Sequence, residues 1–220
     1  MLNNAEARGF IAPVVTPIAR ALLRVGVTPD MVTYFGTAAT VVGALVFFPR
    51  GQFVVGVLVI LLVILSDLLD GTMARMSGRQ GPWGAWLDST LDRVGDGAIF
   101  GGLLIWAAWN QMPWTTGFAW VCLVGGAVIS YAKARAESVG AHANVGIAER
   151  AERLIVGLAA ALLEGLGVTG ALPVALGVLA VLTLVTIGQR ARVVRQQLRP
   201  PAPDRSAPDG AAPDPQDPVS

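Results

Sequence analysis

Apolar residues run along this chain in long blocks separated by short polar links. Six stretches approach the roughly 20 mostly apolar residues a helix needs to cross a bilayer: 31–48, 53–74, 83–109, 115–136, 149–166 and 171–194. The second ends in acids, and the third begins polar and ends apolar. Ahead of them, the segment 5–25 sets Phe10, Ile11, Val14, Val15, Ile18, Leu22 and Leu23 near one helical face, with Arg20 and Arg24 elsewhere. That is the pattern of an amphipathic helix lying in the membrane interface, although Pro13 and Pro17 argue against its being continuous. From Pro200 the apolar period stops. The Pro-, Ala- and Asp-rich stretch 200–220 is expected to be a disordered cytoplasmic tail. The pattern predicts an all-α integral membrane protein. One membrane domain spans 1–199 and holds an N-terminal interfacial helix and six transmembrane helices.

Composition supports this reading. Hydrophobic residues make up 54% and charged residues 14%, against about 25% charged in a soluble domain. One cysteine, Cys122, rules out an intrachain disulfide, and with the single histidine, His142, it leaves too few ligands for the usual Cys/His zinc site. Residues 1–8 lack the basic start, apolar core and cleavage site of a signal peptide. No nucleic-acid partner is expected. Most of the six tryptophans fall near span boundaries, as interface anchors do.

The charges set an orientation. With six spans, the N-terminus, the links after the second and fourth spans, and the C-terminus share one side. Fifteen of the 16 Lys and Arg residues lie on or near that side, and only Arg50 lies opposite. The positive-inside rule makes the rich side cytoplasmic. A multi-pass protein of the cell membrane is expected, with both termini in the cytoplasm.

Carboxylates collect at the same membrane depth. Asp67, Asp70, Asp88, Asp92 and Asp96 sit at the cytoplasmic ends of the second and third spans. Acids inside a span cost about 2.5 kcal/mol or more each at mid-membrane, so a plain water-facing cap explains them poorly. Asp67 and Asp70 are three apart and Asp88 and Asp92 four apart, so each pair shares a helical face. Two antiparallel helices joined by a short link can bring the pairs together. Four converging carboxylates repel unless a hard, oxygen-preferring divalent cation joins them. Two such ions, about 3.5–4 Å apart, make a phosphoryl-transfer site. Gly71 and Gly84 remove side chains beside the acids, for a ligand's approach or for close helix packing, and Arg75 can meet a phosphate.

Read together, these residues run Asp67-x2-Asp70-Gly71-x2-Ala74-Arg75-x8-Gly84-x3-Asp88-x3-Asp92. The string resembles the signature of the CDP-alcohol phosphatidyltransferase family at every defining position. The resemblance implies six transmembrane helices around a polar cavity open to the cytoplasm, a homodimer, and Mg2+ or Mn2+, as two ions. It implies Asp67, Asp70 and Asp88 as metal ligands, and Asp92 as catalytic base that also touches metal. The donor would be a CDP-linked lipid, CDP-diacylglycerol, with Gly71, Arg75, Gly81 and Gly84 at its cytidine phosphates. The string Thr28-Pro29-Asp30-Met31-Val32-Thr33 matches a second donor element of the family, with Asp30 where Asn is commoner. Helix capping accounts for part of that string as well.

The signature leaves the acceptor alcohol open. Ser130-Tyr131-Ala-Lys133-Ala-Arg135, Glu149-Arg150-Ala-Glu152-Arg153 and Gln189-Arg190-Ala-Arg192 all fall at cytoplasmic span ends. Snorkelling accounts for Arg195, Arg199 and Arg205, but several converging cations suit a phosphorylated acceptor. The first two strings resemble, less specifically, the actinobacterial phosphatidylinositol phosphate synthases within the family. That resemblance implies inositol 1-phosphate as acceptor, with its phosphate at Ser130, Lys133, Arg153 and Arg190, and Arg192 a rival for the last. Glycerol 3-phosphate remains an alternative acceptor. A transporter with an acidic cation site is a distant one, since no second copy of the acid pattern is present.

Overall fold

The computed structural model describes residues 4–78 and 81–199, without the side chains of 4–12, 14 and 65–68. The expected tail 200–220, Arg79, and the Phe10, Ile11 and Val14 part of the amphipathic face therefore lie outside the described side chains. Among the described residues seven helices follow one another: α1 (Asn4–Arg24), α2 (Pro29–Phe47), α3 (Phe53–Met76), α4 (Pro82–Trp109), α5 (Pro113–Ser138), α6 (Arg150–Gly165) and α7 (Ala171–Gln197). The described residues contain no strand.

The helices begin where local chemistry favours it. Thr28 caps α2, its hydroxyl accepting from the Met31 amide at 3.3 Å, and Pro29 opens the first turn. Pro82 and Pro113 open α4 and α5 in the same way. At the α6–α7 turn, the Glu164 carboxylate accepts from the amides of Gly170 at 3.2 Å and Leu172 at 2.9 Å. Those amides would otherwise be orphans at the start of α7. α1 departs from expectation: it runs unbroken through Pro13 and Pro17. It packs against α3 with Val15 and Ala19 buried, and this tertiary contact offsets the two lost backbone bonds.

Among the described residues four helices, α2, α3, α5 and α7, are long and apolar enough to cross a membrane. α4 carries four charges, Asp88, Asp92, Arg93 and Asp96, in its first half. α6 has 16 residues, about 24 Å at 1.5 Å per residue, against a hydrocarbon core of about 30 Å. Large apolar side chains face outward, among them Phe35 at 77% and Leu62 at 71% exposure. Together they make the apolar surface of an integral membrane protein, whose solvent is lipid.

α2 packs along both α3 and α4, α5 along α4 and α7, and α6 along α7 and α3. Thus α3 and α4 meet through α2 rather than along each other, which differs from the simple antiparallel pair expected. The apolar core fills the half of the bundle away from the acids, around Phe48, Phe53, Phe100, Leu103, Leu172 and Leu176. Trp106 packs edge-on to Phe53 with ring centroids 5.0 Å apart. Glycine sets the α2–α4 spacing. A Cβ on Gly102 would stand 2.6 Å from the backbone oxygen of Ala44, and backbone cannot rotate away. Gly102→Ala is therefore expected to destabilise the fold by about 1–3 kcal/mol, read as a lower thermal midpoint of the purified protein in detergent.

Candidate active site

The polar half of the bundle gathers the starts of α2, α4 and α6 and the ends of α3, α5 and α7. α2 brings Thr33 against α3: its hydroxyl donates to Asp70 Oδ2 at 2.8 Å. α4 joins α2 at the rim, where the Trp83 indole donates to Asp30 Oδ2 at 3.1 Å. Between these helix ends lies an open cleft of about 550 Å³, with Asp30, Thr33, Asp70, Asp88, Asp92 and Arg150 in its walls. Gly71, Arg75, Gly81 and Gly84 border the same cleft. A Cβ on Gly81 or Gly84 would meet nothing within 4 Å, and one on Gly71 only Arg75 Nη1 at 3.8 Å. None of the three is a helix-packing contact; each leaves backbone open to the cleft. Arg75 is steadied by Thr72, whose hydroxyl accepts from Nη2 at 3.0 Å. Met31 and Val32 are not among the cleft walls.

Asp67 sits on α3 one turn before Asp70, and its side chain is not among those described. Among the described residues no three Asp, Glu, His or Cys side chains form a closed cation cage. The donor chemistry nevertheless fits a hard divalent ion. Asp70, Asp88 and Asp92 line one cleft, and all offer oxygen. Asp92 is paired with arginines, whereas Asp70 and Asp88 form no ion pair among the described residues.

The expected acceptor residues do not share one cavity. Arg153 is buried at 1% exposure; it donates to the Ala148 carbonyl at 3.1 Å and faces Asp96 at 3.8 Å. A Cβ on Gly126 would come within 3.0 Å of Arg153 Nη2, so glycine there makes room for the guanidinium. Arg153 borders a recess of about 320 Å³ together with Arg93, Asp96 and Gly126. Ser130 stands nearby, its hydroxyl donating to the Gly126 carbonyl at 3.1 Å and accepting from Arg93 Nη1. Lys133 is exposed. Arg190 is buried and tied to backbone, with Nε to the Val145 carbonyl at 2.9 Å and Nη1 to the Ile129 carbonyl at 2.6 Å. The Thr186 hydroxyl accepts from the Ala148 amide at 3.1 Å, and Gln197 meets both backbone groups of His142. Arg190 and these contacts stitch the α5–α6 loop to α7. Arg192 is exposed and borders a separate recess beside Gln189 and Val145.

Three residues without an assigned part in the sequence reading prove central. Arg150, at the start of α6, bridges Asp92 at 2.8 Å and Asp96 at 3.1 Å, and Arg93 lies 3.7 Å and 3.6 Å from the same two acids. Asp96 was detectable in sequence, because it continues the four-residue spacing of Asp88 and Asp92 along the helix.

A membrane helical bundle with an acid-lined cleft at one end defines the class of protein. The chain belongs to the CDP-alcohol phosphatidyltransferase family, whose model matches residues 26–194. It is 50% identical over 202 residues to a phosphatidylinositol phosphate synthase of Streptomyces avermitilis, covering 88% of this chain and 83% of that one. A phosphatidylinositol phosphate synthase of Mycobacteroides abscessus is 48% identical over 197 residues, covering 88% and 89%. Among solved structures, the Mycobacterium tuberculosis phosphatidylinositol phosphate synthase with CDP-DAG bound superposes with a TM-score of 0.81 at 45% identity, covering 89% of this chain and 100% of that one. The same Mycobacterium tuberculosis protein in complex with manganese and citrate gives 0.79 at 45% identity, covering 88% and 94%.

Proposed function

We propose that this chain transfers the phosphatidyl group of CDP-diacylglycerol to inositol 1-phosphate, yielding phosphatidylinositol phosphate and CMP. The observation that carries the reading is the cleft in which Asp70, Asp88, Asp92, Arg75 and three unobstructed glycines converge, in a chain about 50% identical to synthases of that name. Six spans with an interfacial α1, a cytoplasmic cleft and cytoplasmic termini complete the reading. It is supported by the one-sided distribution of Lys and Arg. α4 and α6 are the two further spans, their polar starts facing the cleft and the cytoplasm. Residues 1–199 form the catalytic membrane domain, 200–220 a cytoplasmic tail, and the enzyme works as a homodimer, as the family resemblance implies.

Asp67, Asp70 and Asp88, with Asp92 at their edge, would hold Mg2+ or Mn2+, as two ions. When bound, the metal neutralises the diphosphate and the charge that develops on the departing phosphate. The protein's own groups do the rest. Gly71, Gly81 and Gly84 let the diphosphate approach backbone, and Arg75 offers charge-assisted hydrogen bonds to it. At the start of α2, Asp30 and Thr33 line the cleft at the cytidine end, and Met31 and Val32 lie on the same turn outside its walls. Asp92 takes the proton from the acceptor hydroxyl. The resulting oxygen attacks the β-phosphorus, the bond to the CMP phosphate breaks, and CMP leaves. A carboxylate is a weak base, so its placement at the attack line matters more than its basicity. Arg153, with Ser130 beside its recess, receives the acceptor's phosphate, and Lys133, exposed three residues beyond Ser130 on α5, is the further cation of that helix end. Arg190 and Arg192 compete for the remaining cationic position: Nε and Nη1 of Arg190 donate to backbone carbonyls, and Arg192 is exposed beside a separate recess.

The acceptor is tested by incubating the purified protein with CDP-diacylglycerol, metal and one of inositol 1-phosphate, free inositol or glycerol 3-phosphate. Inositol 1-phosphate is expected to exceed free inositol in kcat/KM for CMP release by at least about tenfold, the worth of one charged hydrogen bond, and to exceed glycerol 3-phosphate as well. A higher value with glycerol 3-phosphate would replace the proposed acceptor with that one.

A further inference from the structure

Two carboxylates and three guanidiniums meet at the boundary between α4 and α6. Arg150 holds Asp92 at 2.8 Å and Asp96 at 3.1 Å; Arg93 lies 3.6 Å and Arg153 3.8 Å from Asp96. The cluster therefore carries one excess positive charge. Two of its donors, Nε of Arg93 and Nε of Arg153, are buried without a hydrogen-bond partner among the described residues. Buried donors left unpaired are costly, so the cluster is built to receive one more anion. Its location is informative. Asp92 and Arg150 face the donor cleft, whereas Arg93 and Arg153 face the neighbouring recess of about 320 Å³. Asp96 stands at the wall of that recess and is shared by all three arginines.

We propose that Arg150 masks Asp92 until the acceptor's phosphate draws the guanidinium away, so that the acceptor itself frees the base that deprotonates its hydroxyl. The proposal rests on the reading of Asp92 as base and of a phosphorylated acceptor. A phosphate monoester carries about −1.5 to −2 charge near neutral pH and accepts paired guanidinium bonds. It therefore outcompetes the single charge of Asp92 for Arg150, which lines the donor cleft and shares Asp96 with the two arginines of the neighbouring recess. The device has a use. An activated donor beside a free base is open to water: the water oxygen attacks the β-phosphorus, its proton passes to Asp92, and the bond to CMP breaks, leaving phosphatidic acid and CMP. Masking the base suppresses that loss until a phosphorylated alcohol arrives. It also makes the phosphate part of the selection, because free inositol brings a hydroxyl but nothing to move Arg150.

The test uses full-length protein in detergent with CDP-diacylglycerol and Mg2+. CMP and phosphatidic acid are measured without acceptor, and transfer with inositol 1-phosphate. Arg150→Gln removes the charge, and Arg150→Lys keeps it without the two-point grip. Arg150→Gln is expected to raise acceptor-free CMP and phosphatidic acid formation about tenfold over wild type, equivalent to 1.36 kcal/mol. It should also raise the KM for inositol 1-phosphate. Arg150→Lys should fall between. A residue needed only for folding would lower hydrolysis and transfer together. Acceptor-free hydrolysis at or below the wild-type level in both variants overturns the proposal, whether or not transfer survives. A wild-type protein that releases no CMP even with inositol 1-phosphate and metal is a distinct result, and it removes the functional reading itself.

Discussion

Asp92→Asn should lower turnover by about 10²–10⁴-fold, the usual contribution of a positioned general base, while CDP-diacylglycerol still binds. The substitution keeps the shape of the side chain and an oxygen within reach of Arg150, now 2.8 Å from the Asp92 carboxylate. An amide oxygen cannot take the hydroxyl proton at neutral pH. Asp96, on the next turn, keeps its own contact with Arg150 at 3.1 Å, so the start of α6 stays anchored. Donor binding, followed by CDP-diacylglycerol-induced thermal stabilisation, should remain near the wild-type level. Retention of more than about a tenth of the wild-type kcat in a metal-replete preparation would assign the proton to another group.

Arg153→Ala should raise the KM for inositol 1-phosphate by roughly ten- to a hundredfold, the 1.5–3 kcal/mol carried by a hydrogen bond to a charged group. The KM for CDP-diacylglycerol should change much less, because Arg153 borders the recess beside the donor cleft and not the cleft itself. The guanidinium is buried and faces Asp96, so its removal also costs stability. Arg153→Lys separates the two effects. The room left by Gly126 lets a lysine ammonium reach the same region, and part of the acceptor affinity should return. Equal rises in both KM values would place the acceptor phosphate elsewhere.

Much of this architecture was readable from the chain because its signals are local. A span starts where Pro29, Pro82 or Pro113 can open a helix, and the aspartates repeat at spacings that hold one face. The family signature lies in one continuous string, so its residues could be named before any geometry. What escaped was non-local. Nothing near Thr33 announces that it will donate to Asp70, 37 residues away, or that α2 will stand against both α3 and α4. The grip of Arg150 on Asp92 and Asp96 joins positions more than 50 apart. In sequence Arg150 looks like one more cytoplasmic arginine. Arg190 resembled a phosphate ligand by position, and nothing near it in the chain announces that its Nε and Nη1 donate to the carbonyls of Val145 and Ile129. α1 shows the same limit for local rules, since its two prolines argue for a break that packing on α3 overrides.

The central claim is that acids from α3 and α4 cooperate around a divalent cation to activate a CDP-linked lipid. It is tested most directly by following CMP release from CDP-diacylglycerol and inositol 1-phosphate, first in excess chelator and then during titration with Mg2+ or Mn2+. The same titration is run on Asp70→Asn and Asp88→Asn. The account predicts no release in chelator, full recovery with metal for the wild type, and little or no recovery for either variant. Release that persists in chelator, or variants that recover with the wild-type metal dependence, would contradict it.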